Sequence, residues 1–320
     1  MSSLPPSGRF FLSLLFIIYF ASCKQHTSAE AMSLAEASDR TGGSHELTAQ
    51  TGKPLPGDFK EYWYAGEAEI TSYALQQARY GELREGTAML IFVTEPFLEG
   101  KQVKAESASP NNIPVLKLNA MRNFLTGLYP YSIMSSTFYP VADNQHALKI
   151  TSSIQEWCGH VYAQLNNRAQ FEINAHSYFE GEADQSFQLE KATLENELWT
   201  KIRIRPETLP IGDFEVIPAL DYLRLVHQPL KAYKASASLA AEGTRQIYTL
   251  TYPDLKRTLT IHFQTTFPHA IEEWTETYPS GFGANAPMLT SKATKIARLK
   301  TAYWRKNGNE DVSLRDSLGI

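Results

Sequence analysis

Residues Arg245–Phe267 read RQIYTLTYPDLKRTLTIHFQTTF, and this stretch decides the fold. Two runs of alternating apolar and polar residues flank the sequence YPDLKR, Tyr252–Arg257. Because side chains of a strand point alternately to its two faces, a period of two indicates a half-buried strand. A short polar segment with Pro and Asp between two such runs is typical of a turn between antiparallel neighbours. The stretch therefore predicts a β-hairpin.

The same alternation recurs along most of the chain after residue 57. It is found in EYWYAGEAEITSY, TAMLIFVTEPF, IPVLKLNAMRNFL, YSIMSSTFYPV, HALKITSSIQEWCGHVYAQL, AQFEINAHSYF, YLRLVHQ, AYKASASLA, AIEEWTETY and TKIARLKTAYWR. Only FQLEKATLENELWTKI suggests a helix, since Leu194 and Leu198 are one helical turn apart. About a dozen successive strands must curl, close or cover their edges. We therefore expect a mainly β fold, a large curved antiparallel meander or an incomplete barrel with few helices.

The first 22 residues are typical of an export signal. One cation, Arg9, precedes the apolar run FFLSLLFIIYF, which is too short to span a bilayer as a helix. The sequence FASC, Phe20–Cys23, then resembles the lipobox of bacterial lipoproteins, although Phe20 stands where leucine is usual. The resemblance implies cleavage before Cys23 and lipid attached to its thiol; an ordinary secretory signal is the alternative. Several acyl chains would hold the protein on a membrane surface.

Residues 23–57 differ in composition from the rest of the chain. They are rich in Ala, Ser, Thr, Glu and Gly and contain almost no large apolar residues, so they cannot offset their ordering entropy by burial. We predict a lipidated flexible tether over 23–57 and one antiparallel β domain over 58–320. The chain has 30 Lys and Arg against 34 Asp and Glu, and its sequence contains no basic stripe. A nucleic-acid partner is therefore not expected.

Cys158 lies between Glu156 and His160, an arrangement that could be catalytic. With a hairpin turn at Asn166-Asn167, Leu165 pairs with Arg168, and Cys158 and His160 fall on an apolar face. Residues two apart on a strand are nearly 7 Å apart, too far for thiol activation. We therefore predict a shielded structural thiol, and Cys158, His160 and Glu156 remain weak catalytic candidates.

Four residues are candidates for a ligand-facing surface. Tyr129 and Tyr131 lie in GLYPYSIMSSTFYP, which is rich in aromatic and hydroxyl side chains. Trp157 and His176 fall opposite each other in the predicted register, on the face away from Cys158. A metal site using His176 with Cys158 is therefore disfavoured, and the sequence predicts no metal and no cofactor.

Two other motif-like features of the sequence are interpreted as structural elements and not as functional sites. GFGANA, Gly281–Ala286, is followed by Pro287 rather than by a helix, so it predicts a loop between strands rather than a dinucleotide site. The carboxylate pairs Glu195/Glu197 and Glu272/Glu273 are interpreted as a solvated edge rather than as a glycosidase pair.

The strings WYAGEAEITSYALQQARYGELREGTAMLIFVTEPF, IPVLKLNAMRNFLTGLYPYSIMSSTFYP, IQEWCGH and LENELW resemble a family of uncharacterised bacterial lipoproteins often labelled septum formation inhibitor Maf. The label implies a nucleotide pyrophosphatase with a helix-rich α/β fold and a Ser-x-Ser-Pro loop followed by two arginines. Here SASPNN, Ser107–Asn112, has asparagines where those cations would bind triphosphate. The resemblance therefore implies an envelope location but no activity.

The sequence favours a non-enzymatic lipoprotein of the cell envelope, anchored through Cys23 and facing the periplasm or the surface. Its expected partner is a lipid-like ligand or an envelope protein, because aromatic-rich concave surfaces suit apolar or amphiphilic molecules. The alternatives are a hydrolase or transferase that depends on Cys158 and His160, and a Maf-type nucleotide pyrophosphatase.

Overall fold

The computed structural model describes residues 55, 57–142, 146–283 and 285–320. These residues belong to one of the two units into which the chain divides, Ala49–Ile320. The predicted signal peptide, Cys23 and all of the predicted tether except residues 55 and 57 lie outside the described residues.

Sixteen strands of the described part of the chain form one large open sheet that is almost wholly antiparallel, which confirms the predicted fold class. The strands are β1 Ala68–Arg79, β2 Glu82–Leu98, β3 Val103–Lys104, β4 Ile113–Thr126, β5 Tyr129–Pro140, β6 Lys149–Glu156, β7 Gly159–Asn167, β8 Phe171–His176, β9 Gln185–Leu189, β10 Thr193–Leu194, β11 Gly212–Ile217, β12 Tyr233–Glu242, β13 Arg245–Tyr252, β14 Arg257–Gln264, β15 Ile271–Pro279 and β16 Met288–Thr301.

Most neighbouring strands in the sheet are also consecutive in the chain. The order is β10-β11-β12-β13-β14-β15-β16-β1-β2-β4-β5-β6-β7-β8-β9, with β3 beside β2. The ladder between β10 and β11 is parallel. The two margins of the sheet, β9 and β10, are therefore consecutive strands joined by residues 190–192.

The β13–β14 hairpin forms where the sequence predicts it. Tyr252 pairs with Arg257, and residues 253–256 make the turn. Along β14 every second side chain is buried, from Arg257 through Leu259 and Ile261 to Phe263. The period of two therefore marks the inner face, but its first position carries a cation.

Within the described residues, three α-helices accompany the sheet, together with 3₁₀-helices at Pro206–Thr208, Tyr303–Arg305 and Asn309–Leu318. They are α1 Phe59–Trp63, α2 Glu195–Ile204 and α3 Leu220–Leu225. Helix α2 lies within the predicted helical segment, whereas α1 occupies sequence that alternation predicts as strand. Phe59 and Trp63 are four residues apart and both buried, a spacing that serves one face of a helical turn.

Helix α2 is the centre around which the sheet curves. Glu195 near its start pairs with Arg257 of β14, and Arg203 near its end pairs with Glu69 of β1. Between them, Glu197 accepts a 2.8 Å hydrogen bond from the backbone nitrogen of Ala147, just before β6. Because strands from well-separated parts of the sheet reach one short helix, the sheet bends around it.

One end of the sheet, here called the cleft end, holds the turns at residues 80–81, 127–128, 157–158 and 253–256 and the loop 280–287. The pairing of Gly86 with Phe124 and of Ser132 with Gln155 places the first three turns together. The pairing of Gln76 with Lys292 brings the β15–β16 loop to the same end. Four turns and one loop from distant parts of the sequence therefore surround one opening.

The predicted register around Cys158 is wrong. The chain turns at Trp157 and Cys158, so the expected single strand is two strands, β6 and β7. Leu165 pairs with Ile173 rather than with Arg168, and Asn166 and Asn167 remain inside β7. Odd-numbered residues of β7 therefore face the core, while Cys158 and His160 are exposed.

Candidate functional site

A cleft of about 450 Å³ opens at the cleft end of the sheet. Its walls are residues 78–80 of the β1–β2 hairpin, 222 and 225–228 at the end of α3, 254–256 of the β13–β14 turn, and 278–283 and 286 of the β15–β16 loop. Apart from tyrosines, its charged or titratable lining side chains are Arg79, His227, Asp254 and Lys256. The cleft thus combines aromatic and aliphatic side chains with polar and charged groups, and its lining is more polar than apolar.

Arg79 is the half-buried cation of this cleft, whereas Lys256, which also lines it, is exposed. Its guanidinium donates to the carbonyl of Leu225 and, at 3.0 Å each, to the hydroxyls of Tyr80 and Tyr131. Its buried Nε has no hydrogen-bond partner, and no carboxylate of the described residues lies within 4.0 Å. A guanidinium that lines a cleft without a carboxylate partner is suited to an anionic group, because guanidinium geometry matches carboxylate and phosphate.

Tyr80 holds Arg79 in place through an unusual backbone conformation. Tyr80 and Gly81 have φ of 56° and 77°, the positive pair that a tight two-residue hairpin turn requires. Glycine adopts this conformation readily, whereas a bulky aromatic residue is strained in it. The strain places the Tyr80 ring 4.1 Å from the Arg79 guanidinium carbon, with its hydroxyl 2.7 Å from that of Tyr131. Burial, with the Tyr131 hydrogen bond, raises the pKa of Tyr80, so the phenol remains neutral.

An aromatic row continues from the cleft along the cleft end. Phe282 stacks on Tyr80 with ring centroids 5.4 Å apart, and Tyr80 lies 6.4 Å from Tyr131. The row then passes to Tyr129, 5.9 Å from Tyr131, and to Trp157, 6.4 Å from Tyr129. The aromatic row brings together three of the four residues selected as ligand-facing. Tyr131 is buried, Tyr129 is half-buried and Trp157 is exposed.

His176, the fourth of those residues, does not join them. It pairs with Tyr162 across β7 and β8 instead of facing Trp157. Its side chain is exposed, and its Nδ1 lies 3.2 Å from Asp184. The predicted pairing fails because it depends on the incorrect turn at Asn166-Asn167.

Cys158 occupies the exposed turn between β6 and β7, so the prediction of a shielded thiol is wrong. Its backbone nitrogen donates a 2.7 Å hydrogen bond to Glu156. Hydrogen bonding to that carboxylate, with smaller effects of desolvation and of the carboxylate charge, raises the pKa of the Cys158 thiol. In the described chain no hydrogen bond joins Cys158 to His160. The turn therefore lacks both the low pKa and the base that activate a nucleophilic cysteine.

A charge cluster of Arg122, Glu195, Asp221, Arg257 and Glu276 lies behind the cleft, beside a smaller cavity of about 70 Å³. The ring of Tyr222 lines both spaces, 4.0 Å from the Arg257 guanidinium carbon. Arg257 donates to Glu195 at 2.6 Å and to Glu276 at 2.7 Å. Burial alone would lower the pKa of Arg257, but these carboxylates raise it well above its ordinary value.

The charge cluster has a structural role, because it holds together the elements that lie behind the cleft. It ties the start of α2 and the start of α3 to the inner faces of the strands, since Asp221 pairs with Arg122 of β4. The expectation that Glu195 and Glu197 form a solvated edge is therefore wrong, because both side chains are fully buried.

Two further properties concern the described residues as a whole. None of their helices has the length and apolarity needed to cross a bilayer. They also hold no group of three or more His, Cys, Asp or Glu side chains arranged to bind a metal ion.

Comparison with models of protein families, with curated proteins and with solved structures found no match. Function is therefore inferred from the sequence and from the geometry of the cleft.

Sequence reasoning missed Arg79, Tyr80 and Phe282 as parts of the site. A signal was present in ARYG, Ala78–Gly81, where an arginine and a tyrosine directly precede the glycine of a hairpin turn. Tyrosine at a turn position that favours glycine or asparagine indicates a side chain with specific contacts.

Proposed function

We propose that this protein is a non-enzymatic lipoprotein of the cell envelope that binds an anionic amphiphile in the cleft. The observation that carries the proposal is Arg79, an unpaired cation fixed between two tyrosine hydroxyls on the wall of an aromatic cleft. An anionic head group would pair with the guanidinium, and its chain would lie against Tyr80, Leu225 and Phe282.

The envelope location is supported by the first 23 residues, in which an apolar run leads to the lipobox-like sequence FASC. A membrane-anchored protein has lipids and other amphiphiles as its immediate neighbours, so the proposed ligand class and the proposed location agree.

The two enzymatic alternatives have less support. An exposed thiol with a raised pKa and no imidazole partner is a poor nucleophile. A Maf-type pyrophosphatase would have a helix-rich α/β fold, whereas strands make up 54% of this structure and helices 14%.

Ligand binding is tested with Arg79→Met. The probes are dansyl-labelled undecanoic acid and its methyl ester, which differ only in the charge of the head group. We expect Arg79→Met to weaken binding of the acid by roughly tenfold to a hundredfold, because a hydrogen bond to a charged group contributes about 1.5–3 kcal/mol. Binding of the ester should change little. Fluorescence titration gives all four dissociation constants.

The matched control is Arg245→Met, which removes an exposed guanidinium at the opposite end of β13. Its affinity for the acid should equal that of the parent protein. Equal affinity of the parent for acid and ester would contradict the role of Arg79.

Lipidation is tested by replacing each cysteine in turn in the producing bacterium. Cys23→Ser should abolish incorporation of radiolabelled palmitate and leave the precursor unprocessed, because the thioether can form only at that thiol. Cys158→Ser, the matched control, should remain labelled and membrane-bound. Labelling that persists in Cys23→Ser, or is lost in Cys158→Ser, would reject the proposed anchor.

A further inference from the structure

Large apolar side chains project from the turns of the cleft end. Leu128 and Phe282 are each 81% exposed, Trp157 is 67% exposed and Leu125 is 58% exposed. They lie on or beside three different connections, β4–β5, β6–β7 and β15–β16. Scattered exposed apolar residues are ordinary, but four at one end around a binding cleft mark an interaction surface.

The geometry of this surface favours a lipid bilayer over a folded protein as its binding partner. Leu128 and Trp157 lie in two short turns, Phe282 lies in a loop, and Leu125 lies near the end of β4, so the side chains come from separate connections. Such side chains can enter the boundary between head groups and acyl chains independently, without a complementary shape. The aromatic row runs through the same surface from Phe282 to Trp157, and Tyr and Trp favour that boundary because they are amphipathic.

We infer that the cleft end docks on the surface of a lipid bilayer, with Leu125, Leu128, Trp157 and Phe282 inserted at the interface. This inference rests on the proposed function and deepens it, since the docked cleft opens directly onto the membrane that holds the amphiphile. Arg79 lies behind the inserted side chains, where an anionic head group leaving the bilayer would meet it.

The chain before the sheet is long enough to allow this orientation. The ring centroid of Phe59 lies 6.3 Å from that of Phe267 in the β14–β15 loop. The folded body therefore begins at the end opposite the cleft. The roughly 35 residues from Cys23 to that point reach about 110–120 Å when extended. The longest strand, β2, has 17 residues and is roughly 55 Å long. A lipid at Cys23 and a docked cleft can therefore share one bilayer.

The test is flotation with phosphatidylcholine vesicles. It uses the mature chain, residues 23–320, carrying Cys23→Ser so that no acyl chain contributes. We expect this parent protein to float with the vesicles. Leu125→Glu with Leu128→Glu should weaken partitioning by roughly tenfold or more, because each buried leucine contributes strongly to membrane association. The matched control is Ile211→Glu with Val312→Glu, two side chains that are 66% and 60% exposed and lie outside the cleft end. It adds the same charge and should stay within about twofold of the parent.

A parent that does not float, or leucine and control variants that lose binding equally, would overturn the inference. The inference would also be overturned if the parent protein were a dimer and the leucine double variant a monomer, because the surface would then bind a second copy of the chain. The two proposals fail separately. Neither leucine lines the cleft, so the leucine pair should still prefer the dansyl acid over its ester. If that preference is absent while the parent floats, the ligand proposal fails and the docking surface remains.

Discussion

Replacing Arg257 by methionine is expected to lower the free energy of unfolding by about 3–5 kcal/mol, the usual cost of removing one partner from a buried ion pair. The guanidinium serves two buried carboxylates, Glu195 of α2 and Glu276 of β15. Without the Arg257 guanidinium, Glu195 still accepts a hydrogen bond from the hydroxyl of Tyr252. Glu276 still has a carboxylate oxygen 3.8 Å from the guanidinium of Arg122. Neither contact replaces a charge-assisted pair, so both carboxylates become costly to bury. Urea unfolding followed by tryptophan fluorescence measures the loss.

A second variant separates loss of charge pairing from loss of packing. Arg257→Met combined with Glu195→Gln removes one of the stranded charges, and we expect it to be more stable than Arg257→Met alone. Lys292→Met, which breaks the pair with Glu273 on the outer surface, should cost no more than about 1 kcal/mol. If Arg257→Met costs as little as Lys292→Met, the charge cluster does not hold the helices to the sheet.

Acidification is expected to weaken the pairing of Glu69 with Arg203. Burial alone would raise the pKa of Glu69, but the charge of Arg203 and hydrogen bonds from Arg203 and Tyr62 lower it to about 2, from an ordinary 4.5. Because the folded-state pKa is the lower one, the stabilisation is fully present above about pH 4.5 and is lost as pH falls toward 2. The whole effect amounts to about 3 kcal/mol.

The measurement compares the parent protein with Glu69→Gln, which cannot ionise. Between pH about 6 and about 3, the difference in unfolding free energy should narrow by about 2 kcal/mol, because Glu69 of the unfolded parent takes up a proton in this range while the folded protein keeps its carboxylate charge. Glu82→Gln, whose parent side chain is exposed beside Arg84, is the control and should show no such trend. A difference between parent and Glu69→Gln that is constant with pH would mean that Glu69 is not held ionised by Arg203.

The sequence predicts the strands well because their period and turns are local properties. The alternation of Leu259, Ile261 and Phe263 and the turn after Tyr252 suffice for one hairpin, and successive hairpins give the sheet. It cannot predict the buried charges in the same way. Glutamate and arginine in α2 have the composition of a solvated helix, and only partners far away in the sequence, Glu69 and Arg257, allow their burial.

The errors around Cys158 have a different origin. Asn166-Asn167 is a favourable turn sequence, yet the chain turns at Trp157-Cys158 and again at 168–170. Each residue of slip exchanges the faces of a strand, so one wrong turn misplaced Cys158, His160 and His176 together. Grouping Tyr129 with Tyr131 needed no register, because residues two apart on a strand share a face.

The residues 190–192 that link β9 to β10 form a seam between the two free margins of the sheet. Apart from the short β3, every other strand has a hydrogen-bonded neighbour on both sides. Separating a strand from the sheet therefore requires the least free energy at β9 and β10. Separating β10, which contributes two residues, breaks a single brief ladder. The margin of the sheet that leads into α2 therefore has far fewer hydrogen bonds to break than the long ladders around β2.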